Sequence, residues 1–152
     1  MSNAVKYFEN LQKILERVIT EQGNNIEEAS NAVAETLMNG GRIHAFGTGH
    51  SHMLAEEIFY RAGGLVNVNP ILESSLMLHE SAAKSTELER LEGYGEILFA
   101  HHSITDKDIL FLFSNSGRNG VAIDMGIIAR ERGIKTVVIT NNTSKNRIIK
   151  DL

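Results

Sequence analysis

Two short polar stretches carry residue types suited to holding an anion. One is Gly47-Thr48-Gly49-His50-Ser51; the other is Ser114-Asn115-Ser116-Gly117-Arg118-Asn119. Both combine short side-chain donors with glycine, which lets the backbone turn tightly or approach a ligand closely. Each follows a stretch that reads as a strand, Arg42 to Phe46 for the first and the continuous apolar run Ile109 to Phe113 for the second. Each then leads into a segment of helical periodicity, His52 to Ala62 and Val121 to Arg132, the latter with Val121, Met125, Ile128 and Ala129 on one stripe. Strand, polar loop and helix together aim backbone N–H groups and a helix dipole at an anion. A phosphate cradle is one reading of each loop. The other is a tight turn closed by a helix cap, Ser51 in the first and a serine or asparagine in the second.

The elements that must position these loops follow from the pattern. Asn3 to about Glu21 reads as an amphipathic helix, with Tyr7, Leu11, Ile14 and Val18 on one stripe. Gly23-Asn24-Asn25 is expected to break it before a second helix that carries Ile26, Ala29, Val33 and Leu37 and stops at Gly40-Gly41. Leu65 to Asn69 reads as a second strand closed by Pro70, and Thr136 to Thr140 as a fourth. Residues 71–105 are the least regular, with a helix expected over Leu88 to His101 and interrupted at Gly93-Tyr94-Gly95. A last helix is expected to start at Ile148. Four strands alternating with helices predict an α/β fold, a parallel sheet with helices on both faces, preceded by N-terminal helices. In such a sheet, ligands bind beyond the carboxyl ends of the strands, where both polar loops and Thr140-Asn141-Asn142 fall.

Composition narrows the function classes. The chain has 152 residues, 42% hydrophobic and 22% charged, as expected of one globular domain with N-terminal helices over 1–40 and an αβ core over 41–152. A net charge of −4 argues against a nucleic-acid surface, and an anionic ligand needs local help from amides and hydroxyls. There is no cysteine for disulfides, thiolate metal sites or nucleophilic catalysis. No apolar run approaches the roughly 18 residues of a membrane span, so a cytoplasmic protein without membrane partners is expected. A dinucleotide site is disfavoured, because Gly47 and Gly49 have no third glycine and no acidic residue stands at the tip of Leu65 to Asn69.

On three features the sequence resembles SIS domains, the sugar-isomerase fold of phosphosugar isomerases and phosphosugar-sensing regulators. They are the Gly47–Ser51 loop, the Ser114–Asn119 loop with Asn119 in the place of the family's threonine, and Val138-Ile139-Thr140-Asn141. In overall pattern, including Leu91-Glu92-Gly93-Tyr94-Gly95-Glu96, it is similar to bacterial SIS proteins labelled phosphoheptose isomerases. The resemblance implies a three-layer sandwich, a homodimer or homotetramer, and a sugar phosphate as small-molecule partner. It assigns phosphate contacts to Gly49, Ser51, Ser114, Asn115, Ser116 and Asn119, with no cofactor. Two departures stand out. The family's fifth strand, closing helix and late catalytic histidine lie beyond Leu152. Its catalytic glutamate falls about where Arg61 stands, with Glu56 and Glu57 nearer the loop.

Aldose–ketose isomerisation through an enediol needs a base near the first two sugar carbons and a second group to polarise the carbonyl. The candidates are Glu56, Glu57, His79, Glu80 and Glu92, and His79 with Glu80 is the preferred couple. Glu57 stands four residues before Arg61, so a surface ion pair is its competing role. A metal centre using His50, His52, His79, His101 and His102 is the less favoured reading, and no metal is expected. The expected function is a sugar-phosphate isomerase. Two alternatives stay open: a non-catalytic phosphosugar-binding domain, and an amino-sugar-phosphate etherase or lyase.

Overall fold

The computed structural model describes residues 2–141. Asn142 and the helix expected from Ile148 lie outside them. The chain divides into two compact units, with the boundary between Ala34 and Glu35, inside helix α1 (Asn3–Met38). That helix is continuous where two were expected. A glycine in a helix interior costs only about 1 kcal/mol relative to alanine, too little for Gly23 to break a helix supported on both sides. A local bond spans the site, Asn25 donating to Gln22 at 2.8 Å, and the turn before it is braced by the Arg17–Glu21 pair at 2.9 Å.

The second unit holds four strands, β1 (Ile43–Gly47), β2 (Val68–Ile71), β3 (Ile109–Ser114) and β4 (Lys135–Thr140). They form one parallel sheet in the order β2-β1-β3-β4. Between the first and second strands lies the short helix α2 (His52–Glu57); α3 (Ala82–Leu88) and α4 (Tyr94–His101) precede β3, and α5 (Gly120–Glu131) joins β3 to β4. Strand β2 starts later than expected and contains Pro70. It is an edge strand, so a residue without an N–H is tolerated there. Helix α2 ends at Glu57, well short of the expected Ala62. Of the helix expected over Leu88 to His101 only the part from Tyr94 forms, as α4, with Gly93 at φ +78° as its N-cap; α3 has already ended at Leu88.

Side chains alternate between the two sheet faces. Phe46, Leu110 and Leu112 meet Leu98 and Phe99 of α4 and Val121, Met125 and Ala129 of α5 in the main core. Burying each large apolar side chain contributes about 1.5–3 kcal/mol. Ala45 and Phe113 point to the opposite face, where Ala55 of α2 and Ile58 cover them. Gly95 lets α4 sit directly on α5: a Cβ there would come within 2.7 Å of the Val121 carbonyl oxygen. The result is an α/β fold with helices on both sheet faces, as the alternation of elements predicts.

Candidate functional site

The connection leaving β1 runs outward to β2 and the one leaving β3 runs the other way to β4, so the winding reverses between β1 and β3. A doubly wound sheet opens its ligand crevice at that reversal, beyond the carboxyl ends of the strands. Gly47 at the end of β1 stands level with Phe113, one residue before the end of β3. The two polar loops are therefore neighbours at the switch point.

In the first loop the chain folds back sharply. The Ser51 amide donates to the Thr48 carbonyl at 2.9 Å, and a Cβ on Gly47 would lie 2.6 Å from the Ser51 carbonyl oxygen. Residues 49–51 form a 3₁₀ turn, with Gly49 at φ +53°. Ser51 precedes α2 yet makes no side-chain capping bond, which removes the cap as the reason for its hydroxyl. His52 is 1% exposed, and its Nδ1 bonds the Gly49 carbonyl.

The second loop is closed from within. The Gly117 amide donates to Ser114 Oγ at 3.2 Å, and the Arg118 amide to Ser116 Oγ at 3.3 Å. Both serine oxygens act as acceptors there, so each hydroxyl keeps its proton for another acceptor. Gly117 adopts φ +62°, and the Asn141 amide ties the end of β4 to the Asn115 carbonyl at 3.2 Å. Ser114 is half-buried, while Asn115, Ser116 and Arg118 are exposed.

Asn119, to which the resemblance assigns a phosphate contact, has its side chain engaged within the protein. Its Oδ1 accepts from the Val121 and Ala122 amides at 3.1 and 3.5 Å, making it the N-cap of α5. Its Nδ2 donates to Thr48 Oγ1 and, at 2.8 Å, to Glu89 Oε2. Thr48 donates to the same Glu89 oxygen at 2.9 Å. Both ends of the Asn119 amide are thus consumed inside the protein, and Glu89 ties the two loops together. Glu89 is a residue the sequence reading missed: it lies 41 positions from Thr48 and 30 from Asn119, and no local spacing marks it.

The acid/base candidates scatter. Glu57 pairs with Arg61 four residues on, beyond the end of α2, with both side chains exposed. Glu80 pairs with Lys84, whose ammonium, with help from the Ser74 hydroxyl, holds its carboxyl below the ordinary value. Glu92 is exposed. His79 parts from its sequence neighbour Glu80 and stands edge-on to His52, with ring centroids 5.1 Å apart. Glu56 completes that group, with its Oε1 3.5 Å from His52 Nε2. Of the histidines weighed as metal ligands, His50, His101 and His102 take no part in it. Glu73 follows β2 closely, as an acidic residue does in a dinucleotide site. Its Oε1 is instead taken by the Ser75 amide and hydroxyl, at 3.3 and 2.6 Å.

Residues 6–141 match the model of the SIS domain family. The chain is 44% identical over 136 residues to a UPF0309 protein of Geobacillus kaustophilus, and 47% identical over 135 residues to one of Listeria monocytogenes. These matches take in 90% and 89% of this chain and 54% and 55% of those proteins, so the chain spans about half the length of the curated relatives it matches. Among solved structures, a phosphoheptose isomerase from Neisseria gonorrhoeae superposes with a TM-score of 0.70 at 18% identity, over 93% of this chain and 76% of that one. One from Francisella tularensis gives 0.69 at 20% identity, over 94% and 77%. At such identities the superposition establishes a shared fold. The family match and the relatives place the chain in the SIS-domain family.

Proposed function

We propose that the protein binds a sugar phosphate at the switch point and isomerises it between aldose and ketose forms. The observation that carries this reading is the division of labour in the second loop. Asn119 caps α5, so the Ser114 and Ser116 hydroxyls, whose oxygens only accept amide protons within the loop, are left to donate to an anion at the start of a twelve-residue helix. Ser51, which caps nothing, supplies a further donor from the adjacent loop. The fold shared with two phosphoheptose isomerases supports a sugar phosphate of that class as substrate.

For the enediol step we assign the base to Glu89. It is the carboxylate hydrogen-bonded to residues of both loops, whereas Glu57 and Glu80 are engaged in ion pairs with Arg61 and Lys84. Proton abstraction next to a carbonyl needs such a carboxylate within reach of the sugar's first carbons. A homo-oligomeric form is supported by the exposed apolar side chains of α1, Tyr7, Phe8, Ile14, Leu15 and Ile19.

A thermal-shift screen tests the proposal. A ligand that binds only the folded state raises the melting temperature by mass action. Heptose, hexose and amino-sugar phosphates are compared with inorganic phosphate, and any sugar phosphate that stabilises more than phosphate alone goes into a turnover assay. Failure of every anion to shift the transition would remove the cradle. A shift without turnover would leave a binding domain and remove the isomerase.

A further inference from the structure

We infer that His52, Glu56 and His79 form a binding site for a divalent transition-metal ion. The inference does not depend on the sugar-phosphate reading, because it rests on what faces one buried imidazole. His52 is 1% exposed, and its Nδ1 is bonded to the Gly49 carbonyl. A carbonyl only accepts, so Nδ1 carries the proton and the lone pair of the neutral ring lies on Nε2. That Nε2 is buried and has no hydrogen-bond partner. An orphaned buried polar atom calls for an explanation.

Two further residues with ligand atoms stand close to that ring. Glu56 Oε1 lies 3.5 Å away, and His79 presents its ring edge-on. One ligand atom from each of the three residues can be chosen so that all lie within 4.8 Å of one another. An imidazolium would fit poorly: at 3.5 Å the contact is too long for a charge-assisted hydrogen bond, normally about 2.7–2.9 Å. A metal fits the spacing. Bonds of about 2.0–2.2 Å in tetrahedral geometry set ligand atoms roughly 3.4 Å apart. The Nδ1–H to carbonyl bond is the outer-sphere arrangement that fixes the tautomer and orientation of a ligating histidine.

The donor set points to the metal. Two imidazoles and one carboxylate favour zinc, manganese, iron, cobalt or nickel over magnesium and calcium, which prefer oxygen ligands throughout. Three protein ligands leave a coordination position open for water or a hydroxyl oxygen. His52 and Glu56 are one turn apart on α2, so the helix presets two ligands and His79 arrives from residues 77–80, ahead of α3.

The test uses the whole chain, stripped with a chelator and titrated with zinc chloride in a calorimeter, without any sugar. Binding of one zinc per chain is expected, with much weaker binding of magnesium. His79→Ala and Glu56→Gln alter exposed side chains and spare the buried ring; each should weaken zinc by at least tenfold. Replacing zinc with cobalt(II) should give visible absorption bands of a nitrogen- and oxygen-ligated ion, and those bands should change in His79→Ala. Zinc binding that is absent, or unchanged in both variants, would overturn the site. So would a loss in His101→Ala equal to that in His79→Ala, which would mark adventitious binding by surface histidines.

Discussion

The side-chain amide of Asn119 donates to Glu89 Oε2 across 2.8 Å while its carbonyl oxygen caps α5. One residue thereby anchors the second loop, starts the helix behind it and holds a carboxylate between the loops. Replacing Asn119 by alanine should therefore act on stability. Loss of a cap costs about 1 kcal/mol, and loss of the amide's bonds to Thr48 and Glu89, which still pair with each other, adds roughly 1–3 kcal/mol. Denaturant midpoints of the wild type and Asn119→Ala check this; equal midpoints would refute the anchoring role.

Ser116→Ala should do the reverse. The side chain is exposed, and within the protein its oxygen accepts only the Arg118 amide among the bonds described, so stability should change little. Affinity for a phosphorylated sugar should fall by about 1–3 kcal/mol, the range for a hydrogen bond to a charged group. Calorimetric titration with the ligand found in the thermal screen measures it. Unchanged affinity would take Ser116 out of the cradle.

The assignment of the base separates two carboxylates. Glu89→Gln keeps an oxygen that can accept from Thr48 and Asn119, so the loops and sugar binding should survive while turnover falls by 100-fold or more, the scale of lost acid/base catalysis (roughly 10²–10⁴). Glu80→Gln disturbs a surface pair with Lys84 and should leave kcat within about twofold. Steady-state kinetics of both variants decides between them, and loss of turnover in Glu80→Gln alone would move the base to that residue.

Acid should destabilise the fold in two stages. His44 is buried beside Asn69 and Asp108, and burial lowers its pKa below the ordinary 6.5 against the opposing pull of Asp108; nearby His102 and Arg42 push the same way as burial. The unfolded chain therefore binds the proton first, so the His44 contribution is complete above about pH 6.5 and is lost as pH falls through the folded value. Burial would raise the Asp108 carboxyl, but bonds from the Thr105 and Arg42 amides and the Thr105 hydroxyl outweigh it and hold its pKa below the ordinary 3.8. Its contribution is present above about 3.8 and is lost at still lower pH. Urea midpoints between pH 7.5 and 5 should decline in the wild type and decline less in His44→Gln; parallel profiles would remove His44 as the cause.

How much of this was legible in the sequence depended on range. The two loops announce themselves locally, by glycine and hydroxyl residues following apolar runs, and β1, β3 and β4 fall within a residue of the expected bounds. Pro70 reads as a strand terminator in the sequence because a single sequence does not reveal that β2, which contains it, lies at the sheet edge. Glu89 and His79 sit in the irregular stretch before α4, and only the folded chain brings them to Thr48 and His52. The motif groups Asn119 with the other loop residues, and that both ends of its amide are bonded within the protein shows only in the folded chain.

Gly23 offers a test of the continuous helix. Apart from the helix's own adjacent backbone, no atom lies within 4 Å of the position a Cβ would take there, and Gly23 lies within α1. Alanine at this site adds no clash and removes backbone freedom from the unfolded chain, so Gly23→Ala should stabilise the helix by about 1 kcal/mol. Were there instead a break at Gly23-Asn24-Asn25, with glycine in a turn, alanine would be neutral or harmful. Helical circular dichroism and the melting temperature of Gly23→Ala distinguish the cases, and a lowered melting temperature would restore the two-helix reading.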